Sequence, residues 1–509
     1  MPAKVVVPSS SRHTRRIAVD KIHSVICNRV KDGDEQYLVR WNTESKTAAP
    51  PLSWHLINEL RHCLEVVQDY LEERETSKKS VAQTRIESRK RKSPDSGYEI
   101  EHRSSPFHRL QQGSQTPSAS RSSSVSSTTP ATAVLSPDVY NGVLDIDQHG
   151  FVVCRPVSPD ALISLSDVLT ADLKQRAYQA RVKDAEILMR NAYVQKLNKV
   201  PGPAVTLVNT VDNSTPSLRF RYINKYVLTA GVYQLEPATA TGCQNCSPRM
   251  GRDIGCEYTK LCECLEYAAV DEARLDDEKR RKYEQALSKN SSMMGFPKKF
   301  PYFTNTTGAK AGCLVPFYLN SRNAIYECNE SCACGPQCRN KNVQFGRKVE
   351  VEIFKTTSGR GWGLRCKQAL HQGQFIDTYR GEIITDEEAE RREESSSKAK
   401  GSYLYSLDKF AETEELDHEP YVVDGEFMGG PSKFINHSCD PNCRQYTVSY
   451  NKHDPYVYEI ALFACRDIAA YEELTFDYLD KEGDESEDPG EGAIPCLCGA
   501  LNCRKWLWT

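Results

Sequence analysis

Nine cysteines between residues 243 and 338 constrain this chain more than any other feature, because their spacing suits metal rather than disulfides. The first group is Cys243, Cys246, Cys256, Cys262 and Cys264; the second, in the string CNESCACGPQC, is Cys328, Cys332, Cys334 and Cys338. Cysteines two positions apart, as in Cys262-Glu263-Cys264 and Cys332-Ala333-Cys334, can hardly close a relaxed disulfide, whereas both thiolates can converge on one tetrahedral ion. Nine is an awkward number for separate four-cysteine sites and leaves an odd thiol in any disulfide scheme. Three tetrahedral zinc ions need twelve bonds, and nine sulfurs of which three bridge supply twelve.

Downstream motifs extend this pattern. They are Arg360-Gly-Trp-Gly-Leu-Arg365, Phe434-Ile-Asn-His-Ser-Cys-Asp-Pro-Asn442, Glu473-Leu-Thr-Phe-Asp-Tyr478, and then Cys496-Leu-Cys498 with Cys503. Together with the nine cysteines they resemble, in order, the pre-SET, SET and post-SET motifs of the histone lysine methyltransferases, over roughly residues 218 to 509. Within that family the chain is most similar to the suppressor-of-variegation class and its fungal members, which methylate lysine 9 of histone H3. The resemblance implies a multidomain, mainly β and α+β chain with a knotted, β-rich SET fold. Its parts would be a pre-SET zinc region at 218–345, the SET catalytic domain at 346–479, an acidic loop at 480–495 and a post-SET zinc tail at 496–509. The implied activity is transfer of methyl groups from S-adenosylmethionine to a histone lysine, up to trimethyl, in heterochromatin formation. Histone H3 tails or nucleosomes and heterochromatin proteins are the implied partners, and the nucleus and chromatin the implied location. No motif indicates sequence-specific nucleic-acid binding. Two alternatives stay open: a catalytically weak chromatin adaptor, and a methyltransferase of a non-histone lysine.

The resemblance also implies residue roles. Tyr478 is the catalytic tyrosine and Tyr403, in Ser-Tyr-Leu-Tyr, the second hydroxyl and a donor contact. Gly361, Trp362 and Gly363 bring backbone close to the donor, as glycine permits. Asn436 and His437 hold the donor with Tyr403; Lys433 stands where the family usually has arginine, and Tyr471 where it often has glycine. Phe476, which lacks the hydroxyl of a tyrosine, leaves room for a methylated amine to rotate and so favours the trimethyl product. Cys439 joins Cys496, Cys498 and Cys503 in one closed zinc site, giving three ions in the pre-SET region and one in the tail. Trp506 and Leu507 would then cover the substrate lysine and the donor.

Composition agrees with a modular intracellular protein. The 509 residues leave room for two or three domains, and 39% hydrophobic content can bury cores. No run approaches a membrane span, and the opening MPAKVVVPSSSRHTRR lacks an adequate apolar signal region, so secretion is not expected and 20 cysteines point to metal. The net charge of -3 conceals local asymmetry. Arg89-Lys-Arg-Lys92 reads as a nuclear import signal, and the acidic run from Lys481 to Glu491 as a solvated loop.

Residues 76–150, basic and Ser-rich with few aliphatics in most of their length, are expected to form a disordered linker. In 151–217 the apolar positions Leu165, Val168, Leu169, Leu173 and Ala177 recur at helical spacing, which predicts a helical prelude packed on the catalytic region. A charged, helix-favouring insertion at 268–290 separates the cysteine groups, and Cys313 fits neither group and reads as a buried or free thiol. At 17–75, strand-like Ile17–Ile22 and Glu35–Trp41, a turn at Lys31–Asp34, and one helix face of Leu56, Leu60, Leu64, Val67 and Leu71 resemble a chromodomain. Its methyl-lysine cage is incomplete: Trp41 is present, but Ile17 occupies the place of the first ring and no aromatic lies between Asn42 and Ser53. Trp54 resembles the family's structural tryptophan.

Overall fold

Asp32 and Gly33 both take positive φ, 53° and 88°, which lets a two-residue turn follow the right-handed twist of its strands. They join Ile22–Lys31 to Asp34–Trp41, and Leu52–Leu56 completes an antiparallel sheet of three strands. The computed structural model describes residues 4–5, 22–42, 52–90, 142–146, 152–156, 171–234, 242–250, 255–256, 263–289, 291–293, 295–303, 308, 310–394, 403–411, 415–450, 454–479 and 494–508. They divide into two units, Met1–Met189 and Arg190–Thr509. Ile17, the 43–51 stretch, Cys262, Arg91-Lys92 and the acidic loop up to residue 493 lie outside the described residues. No described helix is long and apolar enough to cross a membrane.

In the first unit the expected helix face is split. Leu56 ends the third strand, Leu60 sits on the short helix Ile57–Leu60, and only Leu64, Val67 and Leu71 lie on the long helix Leu64–Lys90. Glu59 turns back to accept from Leu56 N at 3.2 Å and contacts His55 Nδ1 at 3.1 Å, closing the short helix on the strand end. The long helix runs to Lys90, past the point where the linker is expected to begin, because 76–90 carries strong helix formers and neither Gly nor Pro.

The expected helical prelude is two helices, Ala171–Gln179 and Lys183–Leu197. Contrary to expectation, the first helix and the start of the second pack on the N-terminal sheet. Ala177 joins Cys27 and Leu38 in one apolar cluster. Glu35, 1% exposed, accepts from Asp184 N at 2.9 Å and Ala185 N at 3.2 Å, placing a carboxylate on the positive end of the second helix. Arg74 donates at 2.8 Å to Tyr178 O and Ala180 O, carbonyls at the end of the first. The end of the second helix belongs to the second unit, where Tyr193 OH meets Tyr222 OH at 2.8 Å.

Trp41, the remaining candidate cage ring, is 3% exposed and edge-on to His55 with ring centres 5.5 Å apart. It is a core residue. Trp54 is half-buried beneath the Arg29 guanidinium, 3.9 Å from its ring centre.

The second unit is built on a four-stranded sheet ordered Ile325–Glu327, Cys443–Tyr450, Glu459–Ala464, Phe375–Tyr379. Phe375–Tyr379 is buried at every position, as expected of a strand covered on both faces. Tyr302, Tyr318, Ile325, Phe375, Tyr446 and Phe463 fill one side of this core. A three-stranded sheet orders Trp362–Cys366, Val351–Lys355, Val205–Val208, and a four-stranded one Leu404–Ser406, Val422–Asp424, Glu382–Ile384, Val227–Leu228. Asn436–His437 runs parallel to Thr475–Phe476, bringing the second and third downstream motifs side by side. Within the cysteine insertion, Asp277–Ser288 is helical, its start capped by Asp276. Cys313 is a buried free thiol, its pKa raised by burial.

If Trp41 is core, Trp41→Ala should destabilise the first unit by about 3–5 kcal/mol, the range for truncating a buried Trp. Urea unfolding checks this; a loss below about 1 kcal/mol would contradict the packing.

Candidate active site and metal centres

Seven of the expected cysteines form three overlapping sets of four sulfurs, all within 4.8 Å of one another in each set. The sets are Cys246, Cys256, Cys264, Cys334; Cys256, Cys328, Cys334, Cys338; and Cys264, Cys328, Cys332, Cys334. Cys256, Cys264 and Cys328 are each shared by two sets and Cys334 by all three, so the sulfurs form one continuous cluster with bridging thiolates rather than separate four-cysteine sites. Nearest sulfurs lie 3.6 Å apart for Cys256 with Cys328 and for Cys264 with Cys332, and 3.9 Å for Cys246 with Cys264 and for Cys328 with Cys338. A tetrahedral zinc with Zn–S of about 2.3 Å sets its sulfurs about 3.8 Å apart, so both chemistry and spacing fit zinc. Cys243 is fully buried in the same cluster. Hydrogen bonds from neighbouring cysteines, Cys264 first for Cys332 and Cys256 first for Cys338, pull both thiols down toward the thiolate form.

This cluster is tied to the main sheet. Cys328 follows directly on the Ile325–Glu327 strand, and fully buried Glu327 accepts from Tyr302 OH at 2.6 Å, Asn342 N at 2.9 Å and Val343 N at 2.8 Å.

A second thiolate set joins Cys439 to Cys496, Cys498 and Cys503, again within 4.8 Å and again suited to zinc. Burial opposes ionisation of Cys498, but hydrogen bonds involving Cys439, Ala500, Cys496 and Cys503 outweigh it and bring the thiol to about 7. Arg504 N donates to Cys439 Sγ at 3.4 Å and Lys505 N to Cys503 Sγ at 3.3 Å. The tail also grips the segment before Tyr478, since Arg504 donates twice to Asp477, at 2.8 and 2.5 Å. Trp506 lies just beyond, in a strand Trp506–Trp508 paired with Ile494–Pro495.

The candidate catalytic residues converge where the two short parallel strands pair. Tyr478 OH donates to Ile435 O at 2.8 Å and Tyr478 N to His437 Nδ1 at 3.2 Å. Burial holds His437 neutral, its pKa brought down to about 4, so the ring can accept from Tyr478 N while Nε2 contacts Cys439 Sγ at 3.3 Å. His437 thus connects the tail thiolates to the candidate catalytic tyrosine. Phe476 is buried, its ring centre 4.8 Å from that of Tyr478. Burial, then the neighbouring Tyr403, push the Tyr478 phenol upward, so it stays protonated at neutral pH.

The candidate donor residues bind one another. Asn436 Nδ2 donates to Trp362 O at 3.1 Å and Glu473 Oε1 at 2.8 Å, and Arg360 pairs with Glu473 at 2.5 Å. A Cβ on Gly363 would stand 2.9 Å from Phe354 and 3.0 Å from Glu473, so only glycine fits that contact. Gly361 has a φ of 83° and nothing within 4 Å of where its Cβ would be, which leaves the backbone open to a ligand. Lys433 extends its ammonium over the Tyr403 ring at 4.7 Å. Tyr471 keeps the turn that glycine would make, at φ 62°, with the Arg365 guanidinium 5.5 Å from its ring centre.

Two aromatic residues escaped the sequence reading. Tyr379 OH donates to Tyr403 O at 2.8 Å, and the Tyr405 ring centre lies 6.3 Å from that of Tyr379. The available signal was Gly425: its Cβ would fall 2.4 Å from Tyr379 OH, and that glycine follows directly on the Val422–Asp424 strand. Elemental analysis should find about four zinc ions per chain, and Cys439→Ser should lose about one. Two or fewer in the unaltered protein would contradict both sets.

The SET domain family matches residues 361–479 and the Pre-SET motif residues 197–341. The chain is 41% identical over 313 residues to "Histone-lysine N-methyltransferase, H3 lysine-9 specific KMT1" of Fusarium mangiferae, covering 60% of this chain and 88% of that one. It is 38% identical over 315 residues to the H3 lysine-9 specific enzyme dim-5 of Neurospora crassa, with the same 60% and 88% coverage. With the Danio rerio enzyme SUV39H1-A it shares 34% over 364 residues, 68% of this chain and 74% of the relative. The cysteine cluster, the paired motifs and these identities together make the chain a member of the SET-domain family of histone-lysine N-methyltransferases.

Proposed function

We propose that this protein methylates lysine 9 of histone H3 in nuclear chromatin, carrying it to the trimethyl state. The observation that carries this reading is the 41% and 38% identity to two fungal relatives named as specific for that lysine. S-adenosylmethionine, when bound, supplies an electrophilic methyl group on a sulfonium. Gly361, Trp362 and Gly363 offer backbone to it, and Arg360, Glu473 and Asn436 fix that backbone in place.

The substrate must arrive as a neutral amine. A free lysine is neutral in only about one part in a thousand near pH 7.4, a cost of about 4 kcal/mol. Tyr379, Tyr403, Tyr405, Phe476 and Tyr478 wall the candidate lysine channel, where desolvation favours the neutral amine. Tyr478 commits its proton to Ile435 O, which leaves its oxygen free to accept from the amine. Burial raises the Tyr379, Tyr405 and Tyr478 phenols, so none of these three is a general base at neutral pH, and the proton leaves to solvent before transfer. Phe476 brings no hydroxyl to restrain the amine, so successive transfers can proceed. The cysteine tail acts as a post-SET module that carries Trp506 toward the donor, and the N-terminal sheet and helix act as a divergent chromodomain that binds a chromatin protein rather than methyl-lysine.

Labelled donor and H3 peptides with single lysine-to-alanine changes test the assignment. Label should be lost only when lysine 9 is replaced; loss with a different lysine, or no transfer to any peptide, would refute it. In the same assay, Phe476→Tyr should leave the first transfer within about threefold and stop the product at mono- or dimethyl-lysine by mass spectrometry. An unaltered enzyme that stops at monomethyl would contradict the role of this ring.

The pH dependence carries its own sign. Tyr478 is shifted upward, so it does not ionise in the working range, and only the substrate amine titrates. The rate at subsaturating peptide should therefore rise about tenfold per unit from pH 7 to 9. A fall beginning below pH 9 would show that an ionising tyrosine limits the reaction.

A further inference from the structure

Asp477 stands between Phe476 and the candidate catalytic Tyr478, and its carboxylate is gripped from two sides. Leu479 N donates to Asp477 Oδ1 at 3.1 Å, so this side chain spans the backbone of Tyr478 and closes a turn around it. From the tail, Arg504 Nη1 donates to Asp477 Oδ2 at 2.8 Å and Nη2 to Oδ1 at 2.5 Å, the two-point geometry in which a guanidinium fixes a carboxylate in orientation as well as in place. The pair is sheltered, with the Arg504 side chain 12% and that of Asp477 16% exposed, unlike an ordinary surface ion pair. Arg504 is itself anchored at its backbone: it follows Cys503 of the tail thiolate set, and its N donates to Cys439 Sγ of the same set at 3.4 Å.

We propose that Arg504 is a positioning residue, whose fork on Asp477 carries the placement of the tail thiolate site into the turn that holds Tyr478, so that seating the tail and aligning the tyrosine hydroxyl are one event. This rests on the role proposed above for Tyr478. The bonds of Tyr478 itself, from its N to His437 and from its hydroxyl to Ile435, run back to the second motif. The Asp477 turn braces the tyrosine from its own segment, and through Arg504 that brace ends on the tail. The four thiolates converge by their own placement, so Arg504 contributes alignment rather than a ligand. A displacement of about 1 Å at the reacting atoms can cost on the order of a hundredfold in rate, so slackening of this turn should appear in methyl transfer before it appears in stability. Lysine, a single point charge on a flexible stem, does not hold a carboxylate's orientation as the planar fork does.

The test uses the zinc-loaded full chain, with a single-turnover assay at saturating donor and H3 peptide spanning lysine 9, elemental analysis, and native-state hydrogen exchange. Arg504→Gln should keep about four zinc ions per chain and hold S-adenosylhomocysteine affinity within about threefold, while the transfer rate falls about thirtyfold. Arg504→Lys should recover only in part, remaining about fivefold slower than the unaltered protein. Asp477→Asn should cost about as much as Arg504→Gln, and the double variant should be no more than about twofold slower than the worse single one, because both act through one contact. In Arg504→Gln the Leu479 amide should exchange at least about tenfold faster while the amides of the Val351–Lys355 strand stay within about twofold. A transfer rate for Arg504→Gln within about twofold of the unaltered protein would overturn the proposal, as would additive losses for the two substitutions. Loss of a zinc ion together with activity, or a uniform rise in exchange across the unit, would overturn it too, since the residue would then serve only the metal site or the general fold. An unaltered chain that methylates no H3 peptide would refute the proposed function, and the exchange of Leu479 against the Val351–Lys355 strand would then decide by itself whether Arg504 holds the turn.

Discussion

The parallel pairing of Asn436–His437 with Thr475–Phe476 is the contact on which the site depends. A two-residue ladder has little stability of its own, and here side chains supply the rest. Asn442 accepts from Thr475 N at 2.9 Å and donates to Glu473 O at 2.8 Å and Glu472 at 2.9 Å, so one amide holds two points of the third motif and the residue just before it. Each such bond contributes about 1 kcal/mol net, but leaving a buried partner unpaired costs more, which makes the crossing stiff. Ile435, just before one strand, and His437 within it then receive the hydroxyl and amide of Tyr478, which follows the other. Asn436 reaches outward to Trp362 and Glu473, so the same crossing sets the backbone offered to the donor.

Metal extends this rigidity to segments too small to build a core. The tail cysteines are only half-buried, and Leu497 and Leu501 are exposed, so apolar burial cannot hold the 494–508 stretch in place. Four converging thiolates can. The Arg504–Asp477 pair and the His437–Cys439 contact carry that constraint to either side of Tyr478's strand. Glu327 plays the matching part on the other side, fastening the larger cysteine cluster to the central sheet.

Features written in local spacing were legible in the sequence. The cysteine sets, the Asp32-Gly33 turn and the three downstream motifs each compress their chemistry into a few neighbouring residues. What escaped depends on distant partners. Tyr379 precedes Tyr403 by 24 residues and looks like any strand tyrosine until the chain at Gly425 folds back on it. Glu35 and Arg74 carry no local signal of a long-range role, yet they cap the two helices that the apolar spacing assigns to the catalytic region. Ser- and Arg-rich composition points to a linker from residue 76, whereas helix propensity carries the helix to Lys90. Trp41 reads as a binding ring by analogy, and only its packing against His55 reveals a core residue.

Native-state hydrogen exchange on the zinc-loaded protein tests the central claim, that the paired strands fix the candidate catalytic tyrosine. The amides of Ser438, Thr475 and Tyr478 bond to Phe476 O, Asn442 Oδ1 and His437 Nδ1. They should exchange only through opening as costly as global unfolding of this unit. Exchange of these three amides at the rate of the exposed turn around Asn209 would contradict the account.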